Sequence, residues 1–343
     1  MSALPYRCLL CLLICALTLA GQAAAPQAAS WTHGKQAFCA TLTDGRLHLG
    51  RVVTAGIEDA GTVPSPGITT IATSSSGVLG AQNTALMRLD VAGKRWTTLG
   101  TLPAPILQIL PAREGAMLLT GSPALPPPTT NAVWWARWTP KFTATRVEAI
   151  GKNDCPWQLW WAEVPGERRL AAATYRATQF AQFEHNCMFL YTWKNGKTTP
   201  CWLGSRLSRP YQEAAHADLR ADGKTRMVAL EVTRNGGLGL SVYTPIQFGY
   251  ANEWRTETLP GLEHLTTVGS VVLCRGHDTE GNAWTSVLLT EDDGYALTPL
   301  SEALPVPEAL AQTGPKQLGG WWNGAWHAIT IPGILHETVK PAS

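Results

Sequence analysis

The chain predicts an all-β fold, a β-propeller of seven four-stranded antiparallel blades, with six blades as the alternative count. Three observations point there. A hairpin-sized unit returns about seven times, successive units are spaced by about 41 to about 54 residues, and all fifteen tryptophans lie beyond residue 30. Four short strands per period of roughly 40–50 residues mark propeller blades. A lone four-stranded sheet cannot bury both faces, whereas a radial array covers each face with a neighbour and leaves only short edges open. Tryptophan fills the wedge between such sheets.

The units follow one another along the chain. The first runs Phe38 to Leu42, turns at Thr43-Asp44-Gly45 and returns from Arg46 to Gly50. Next come Ala85 to Asp90 with Lys94 to Leu99, and Ala132 to Trp138 with Thr143 to Ile150. Met188 to Trp193 pairs with Lys197 to Leu203, and Leu238 to Tyr243 with Trp254 to Leu259. Ala283 to Leu289 with Tyr295 to Leu300, and Trp326 to Ile331 with His336 to Val339, complete the series. Asn195-Gly196 supplies the positive φ angles of a type I′ turn, and Asp44-Gly45 and Asp293-Gly294 can do the same. The first unit has little chain before it. Either its blade is incomplete, or it shares a blade with the C-terminal strands and closes the ring. A two-domain β-sandwich protein, the rival architecture, predicts an uneven repeat and a linker.

The N-terminus predicts export. Arg7 is the only charge before His33, and an apolar run follows from Cys8 to Ala20, then Gly21-Gln22-Ala23-Ala24-Ala25. Thirteen apolar residues are too few for a membrane-spanning helix, which needs about 20, and the small-residue exit fits a cleavable signal peptide over 1–25. Residues 26–343 then form one propeller domain in a secreted or periplasmic protein, without a transmembrane segment. Cleavage removes three of the eight cysteines and leaves Cys39, Cys155, Cys187, Cys201 and Cys274. An odd number leaves at least one thiol unpaired. With Arg7 gone from the 27 basic residues, they outnumber the 25 acidic ones by one. That balance lacks the basic footprint of a nucleic-acid binder. No zinc spacing, phosphate loop or nucleophile elbow is present, so neither metal nor cofactor is expected.

Residues 85–104, Ala-Leu-Met-Arg-Leu-Asp-Val-Ala-Gly-Lys-Arg-Trp-Thr-Thr-Leu-Gly-Thr-Leu-Pro-Ala, resemble the outer hairpin of a kelch repeat. The double glycine that precedes it in kelch repeats is missing. The resemblance implies a propeller blade and carries no function with it.

In a propeller the loops entering a blade and those joining its second and third strands emerge on one face. By fold-level analogy that face carries ligands. Entering loops offer Asp154, Arg209, Glu263 and His264. The loops between second and third strands offer His33, Asn83, Glu184, His185, Arg234, Arg275, His277, Asp278 and Asn323. A histidine beside carboxylates can act as a general base or metal ligand, and also occurs in an ordinary solvated turn. Asp154, Glu184, Glu263 and Asp278 are the candidates for a glycosidase carboxylate pair. Cys155 and Cys187 fall on the same rim and are expected to approach each other as a disulfide candidate, while Cys201 should lie opposite Leu190. The clusters around Trp134, Trp157 and Trp321 could stack sugars, but adjacent tryptophans point to opposite strand faces, so one of each pair packs between blades. The leading expectation is a non-catalytic exported propeller that binds a protein or glycan partner through its loop-rich face. A glycan-acting hydrolase or lyase on the same scaffold is the alternative, and a structural role in an envelope assembly is a third.

Overall fold

The computed structural model describes residues 28–331, apart from 34–35, 75–76, 125, 165, 180, 195–196, 205–206, 208, 293, 301–309 and 315–316. The expected signal segment, the Asn195-Gly196 turn and the strand expected at His336 to Val339 lie outside these residues.

The strands meander into seven antiparallel sheets, the blades of a propeller. Blade 1 holds β1 (Ala28–His33), β2 (Gln36–Thr43), β3 (Arg46–Val53) and β4 (Gly56–Pro64). Blade 2 holds β5 (Ile68–Ser74), β6 (Gly77–Gln82), β7 (Ala85–Asp90) and β8 (Arg95–Thr101). Blade 3 follows with β9 (Ile106–Ala112), β10 (Gly115–Thr120), β11 (Ala132–Arg137) and β12 (Thr143–Arg146). Blade 4 comprises β13 (Pro156–Val164), β14 (Glu167–Thr178), β15 (Ala181–Lys194) and β16 (Lys197–Leu203). In blade 5 come β17 (Tyr211–Ala217), β18 (Arg226–Val232), β19 (Leu238–Ile246) and β20 (Gly249–Arg255). Blade 6 is built from β21 (Leu262–Val268), β22 (Val271–His277), β23 (Ala283–Glu291) and β24 (Gly294–Pro299). Blade 7 has three described strands, β25 (Leu310–Gly314), β26 (Gln317–Trp322) and β27 (Ala325–Thr330).

The seven-blade count therefore holds, and the expected closure problem is corrected. The hairpin from Phe38 to Gly50 is the central pair β2–β3 of its blade, whereas the later units are outer pairs such as β7–β8 and β15–β16. Blade 1 is complete from its own residues, and no described strand is shared between the two ends of the chain. The strands that sequence reading leaves uncounted explain the error. β1 is short and mixed in polarity, and β4 carries Glu58-Asp59 where alternation should be apolar. The kelch-like stretch forms the outer hairpin of blade 2.

Six apolar clusters fill six seams between neighbouring blades. One joins blades 1 and 2 through Leu47, Val63, Ile71 and Leu89, and another joins blades 5 and 6 through Leu230, Val242, Leu265 and Leu288. Burial of one such side chain contributes roughly 1.5–3 kcal/mol. The tryptophans sit mainly here. Trp135 and Trp161 both pack against Trp193 at the seam of blades 3 and 4, with ring centroids 4.7 Å and 6.2 Å away.

The first strand of every blade is innermost, and together these strands enclose a central channel of about 900 Å³. Among the described residues its lining includes Trp157, Trp160, Gln108, Gln158 and Thr266, and no charged residue. In blades 2 to 6 a register shift after the first residue of the inner strand marks a one-residue β-bulge. Bulges re-aim side chains, and these act at the rim where the chain enters each blade. No described helix is long and apolar enough to cross a membrane.

Candidate functional site on the entry face

Loops that join blades, and loops that join second to third strands, emerge on one side of the ring, the entry face. His33 does not belong there. It ends β1, so its turn joins first to second strand and opens on the opposite face. The misplacement follows from the mistaken position of the first hairpin within its blade. Arg234 lies exposed in the turn between β18 and β19.

The remaining blade-6 candidates come together, because two glycines let the entering loop lie against the end of β22. His277 N donates to Gly261 O at 3.0 Å. A Cβ at Gly261 would stand 1.7 Å from His277 O, and one at Gly276 would stand 1.8 Å from Gly261 O, so neither position admits a side chain. This clamp sets Glu263 and His264 beside Arg275 and His277. Glu263 is the bulged residue, and His264 pairs across the strands with Arg275. His277 Nδ1 lies 3.0 Å from Glu263 Oε2, and both groups are half-exposed. His264 Nδ1 lies 3.1 Å from Glu213 Oε1. Glu213 is only 3% exposed, and its other oxygen accepts from Leu265 N at 2.6 Å. The hydrogen bond that the His264 Nδ1–H donates to Glu213 raises the imidazole pKa above its ordinary value.

An internal comparison explains Glu213. In blade 3 the equivalent third residue of the inner strand is Gln108. Its Nε2 donates to Leu159 O and its Oε1 accepts from Leu159 N, both at 2.8 Å, clipping blade 3 to blade 4. An amide serves both backbone groups, whereas a carboxylate has no proton for the carbonyl. At the seam of blades 5 and 6 the carboxylate therefore keeps the N–H bond and turns its second oxygen to a histidine. A neutral structural clip has become a carboxylate–imidazole pair at the channel rim, one residue before the channel-lining Leu265.

Asp278 has a structural task. Its carboxylate accepts from Glu280 N at 2.9 Å, Asn282 N at 2.8 Å and Asn282 Nδ2 at 3.0 Å. The Asn282 side-chain bond, with backbone N–H bonds beside it, lowers its pKa. This is the solvated-turn alternative for that loop.

The blade-4 candidates form a second group. Asp154 ends the 3-10 turn Lys152–Asp154, binds Gly151 N at 2.6 Å and pairs with Arg176. Cys155 follows in the left-handed region at φ +43, an unusual conformation for a residue with a side chain. Cys155 and Cys187 are both free thiols, so the expected pairing is not formed. The strand β14 lies between them, with Tyr175 N bonded to Cys155 O and Thr174 paired with Cys187. Two strand spacings amount to about 9.5 Å, beyond the Cα reach of a disulfide. Burial pushes the Cys187 thiol up to about 12, and His185 Nε2 stands 3.4 Å from its sulfur. Cys201 is the bulged residue of β16, where Trp202 rather than Cys201 lies opposite Leu190.

The hairpin β14–β15 is the longest among the described residues, with strands of 12 and 14 residues. Residues 182–188 have no β16 partner, since that pairing ends at Phe189 and Leu203. The tip rises above the blade and carries Glu184, exposed, and Phe183, 58% exposed. Asn186 Nδ2 ties its base to Tyr211 O at 2.9 Å.

Sequence reading missed Glu213 and Arg176, the partners that organise both groups. It also missed an ionic network on the opposite face. Arg226, 5% exposed, makes two parallel bonds of 2.8 Å to Asp222 and a third of 2.9 Å to Glu253. Arg220 and Tyr295 also bind Glu253, at 2.8 Å and 3.1 Å. Glu213 did leave a signal, as the sole acid in the wholly buried run Tyr-Gln-Glu-Ala-Ala-His-Ala of β17. Among the described residues, no group of three His, Cys, Asp or Glu is placed to hold a metal ion.

No protein-family profile matches the chain, and no curated protein sequence matches it either. Solved structures do resemble it. A chain of the S. cerevisiae complex of Dbp5 with Nup159, Gle1, IP6 and ADP aligns at a TM-score of 0.52 and 12% identity, covering 90% of each chain. An oligogalacturonate lyase in complex with manganese aligns at 0.51 and 12%, covering 90% of this chain and 99% of its own. A chain of the Mitotic Checkpoint Complex aligns at 0.55 and 9%, covering 86% and 84%. At such identities the likeness concerns the propeller fold alone.

Proposed function

We propose that this is an exported, non-catalytic propeller that takes a protein or glycan partner on its entry face. The observation that carries the reading is the blade-4 hairpin, which exposes Phe183 beside Glu184 beyond the end of the β16 pairing. A large exposed apolar side chain on such a hairpin can anchor a partner. Two of the similar structures come from multi-protein complexes, which accords with a binding scaffold. The carboxylates weighed for glycoside hydrolysis are largely engaged elsewhere: Asp154 by Arg176, Glu263 by His277 and Asp278 by its own loop.

A second reading, a glycan-acting enzyme, is favoured by one arrangement. Glu213 orients Nδ1 of His264, the geometry that prepares an imidazole as a base. The two readings separate experimentally. Phe248, 67% exposed in the turn between β19 and β20, marks the opposite face. A glycan array and cross-linking to extracellular proteins are compared for the wild type, Phe183→Ser on the entry face and Phe248→Ser on the opposite face. Loss of binding in F183S with F248S unchanged supports the proposal. Turnover of a bound glycan that disappears in His264→Ala establishes the enzyme reading instead, and loss confined to F248S rejects the assigned face.

A further inference from the structure

The chain is close to neutral overall, but its charge is unevenly placed. On the face opposite the entry face, the turns of blades 3 and 4 carry Arg113, Arg137, Lys141, Lys194 and Lys197, all exposed. None of them takes part in an ion pair among the described residues. The acids of the same turns are largely spent. Glu163 is held by Arg168 and Glu167 by Arg169, which leaves Glu114. Blade 6 carries Glu291 and Asp292 at its own turn, so the positive charge is confined to one sector of the ring.

A second observation falls in that sector. The turn between β19 and β20 exposes Ile246 and Phe248, and Phe248 is the most exposed large apolar side chain among the described residues. Arg169 Nη1 donates to Ile246 O at 2.8 Å, which ties this turn to blade 4. Arg169 pairs with Thr192, two residues before Lys194, so the apolar tip and the lysine turn are neighbours.

We infer that this sector docks on an anionic lipid bilayer, with Ile246 and Phe248 entering the headgroup boundary and the unpaired cations lying over acidic headgroups. The inference concerns the face turned away from the entry face and stands apart from the partner reading. Basic side chains are drawn to an anionic leaflet, and apolar side chains at the same surface gain by leaving water. A soluble polyanion, such as a nucleic acid or a sulfated glycan, answers the cations alone and gives Ile246 and Phe248 no apolar phase. A propeller held in this way presents its entry face to the solvent.

The test is flotation of the purified protein with vesicles of phosphatidylcholine alone, or of phosphatidylcholine mixed with phosphatidylglycerol, at low and high salt. The wild type should float with the mixed vesicles only, and high salt should release it. Lys194→Gln combined with Lys197→Gln should weaken vesicle binding about 10–30-fold. Phe248→Ser should weaken it about 10-fold, and Phe183→Ser on the entry face should leave it unchanged. The substituted side chains are exposed, so every variant should melt with the wild type. Heparin serves as the soluble polyanion. Absence of flotation, equal flotation with phosphatidylcholine alone, or unchanged flotation of either K194Q/K197Q or F248S overturns the inference. Tighter binding to heparin than to the mixed vesicles, with F248S indifferent, overturns it in favour of a polyanion.

Discussion

At the scale of single residues, two buried groups govern how the protein answers to pH. Glu213 holds the pKa of His264 above the ordinary value, so that pair stabilises the fold at pH below about 6.5, the unfolded value. Its contribution is lost as pH rises through the folded value. Glu213→Gln should bring the His264 pKa down, as read by NMR titration, and should fold well because glutamine already fills this position at Gln108. Glu213→Ala instead leaves Leu265 N–H buried and unpaired, at a cost of about 1–3 kcal/mol in chemical denaturation. His216 acts in the opposite sense. It is buried against Trp160 and Tyr250, and burial lowers its pKa to about 3. Below about 6.5 the unfolded chain takes up a proton that the folded chain refuses. Stability should therefore fall as pH drops from about 6.5 toward 3, and His216→Gln should flatten that slope in thermal melts. An unchanged slope contradicts the assignment.

Among the elements, the entry-face groups are set by bulges and clamps, and the opposite face of blades 5 and 6 by ions. Arg226 holds Asp222 and Glu253 together from the start of β18. Truncation to alanine leaves Glu253 partly buried beside one remaining arginine. It should cost about 2–3 kcal/mol, below the figure for a fully buried pair because Asp222 is partly exposed. The Arg226 hydrogen bond holds the Asp222 carboxyl down at about 2, so its contribution is present above about 4, the unfolded value, and lost as pH falls through about 2. The acid limb of the stability curve in Arg226→Ala should be shallower than in the wild type. This scale also shows what was legible. Asp44-Gly45 announced its turn, and the pairing of Lys194 with Lys197 matches the expected two-residue connection. A bulge has no such signature, since one extra residue in an apolar strand reads as ordinary strand. The partner of Glu213 was equally hidden: His264 lies 51 residues away, and only the register of two neighbouring blades brings them together.

For the whole molecule, the ring closes without a shared strand among the described residues, and its closing seam differs from the other six. Among the described residues, no apolar cluster of the kind found elsewhere joins blade 7 to blade 1. His48 stacks on Trp321 at 4.3 Å instead, and Gly319 and Gly50 admit Ile57 and Trp326 at close range. This seam should open first. In Trp321→Ala, hydrogen exchange should quicken in β1 to β4 and β25 to β27 while blades 3 to 5 keep their protection. Uniform acceleration across the ring contradicts a weak seam. The repeat and the blade count were readable because each blade repeats the same burial problem. The closure was not, because it depends on which strand of the first blade the chain begins with.

The central claim is that the entry face, led by the blade-4 hairpin, is the recognition surface. Its most direct test compares partner binding by the wild type with binding by Phe183→Ser on that face and by Phe248→Ser on the opposite face, two exposed aromatic side chains. Binding should be lost in F183S and kept in F248S. Binding kept in F183S and lost in F248S contradicts the account.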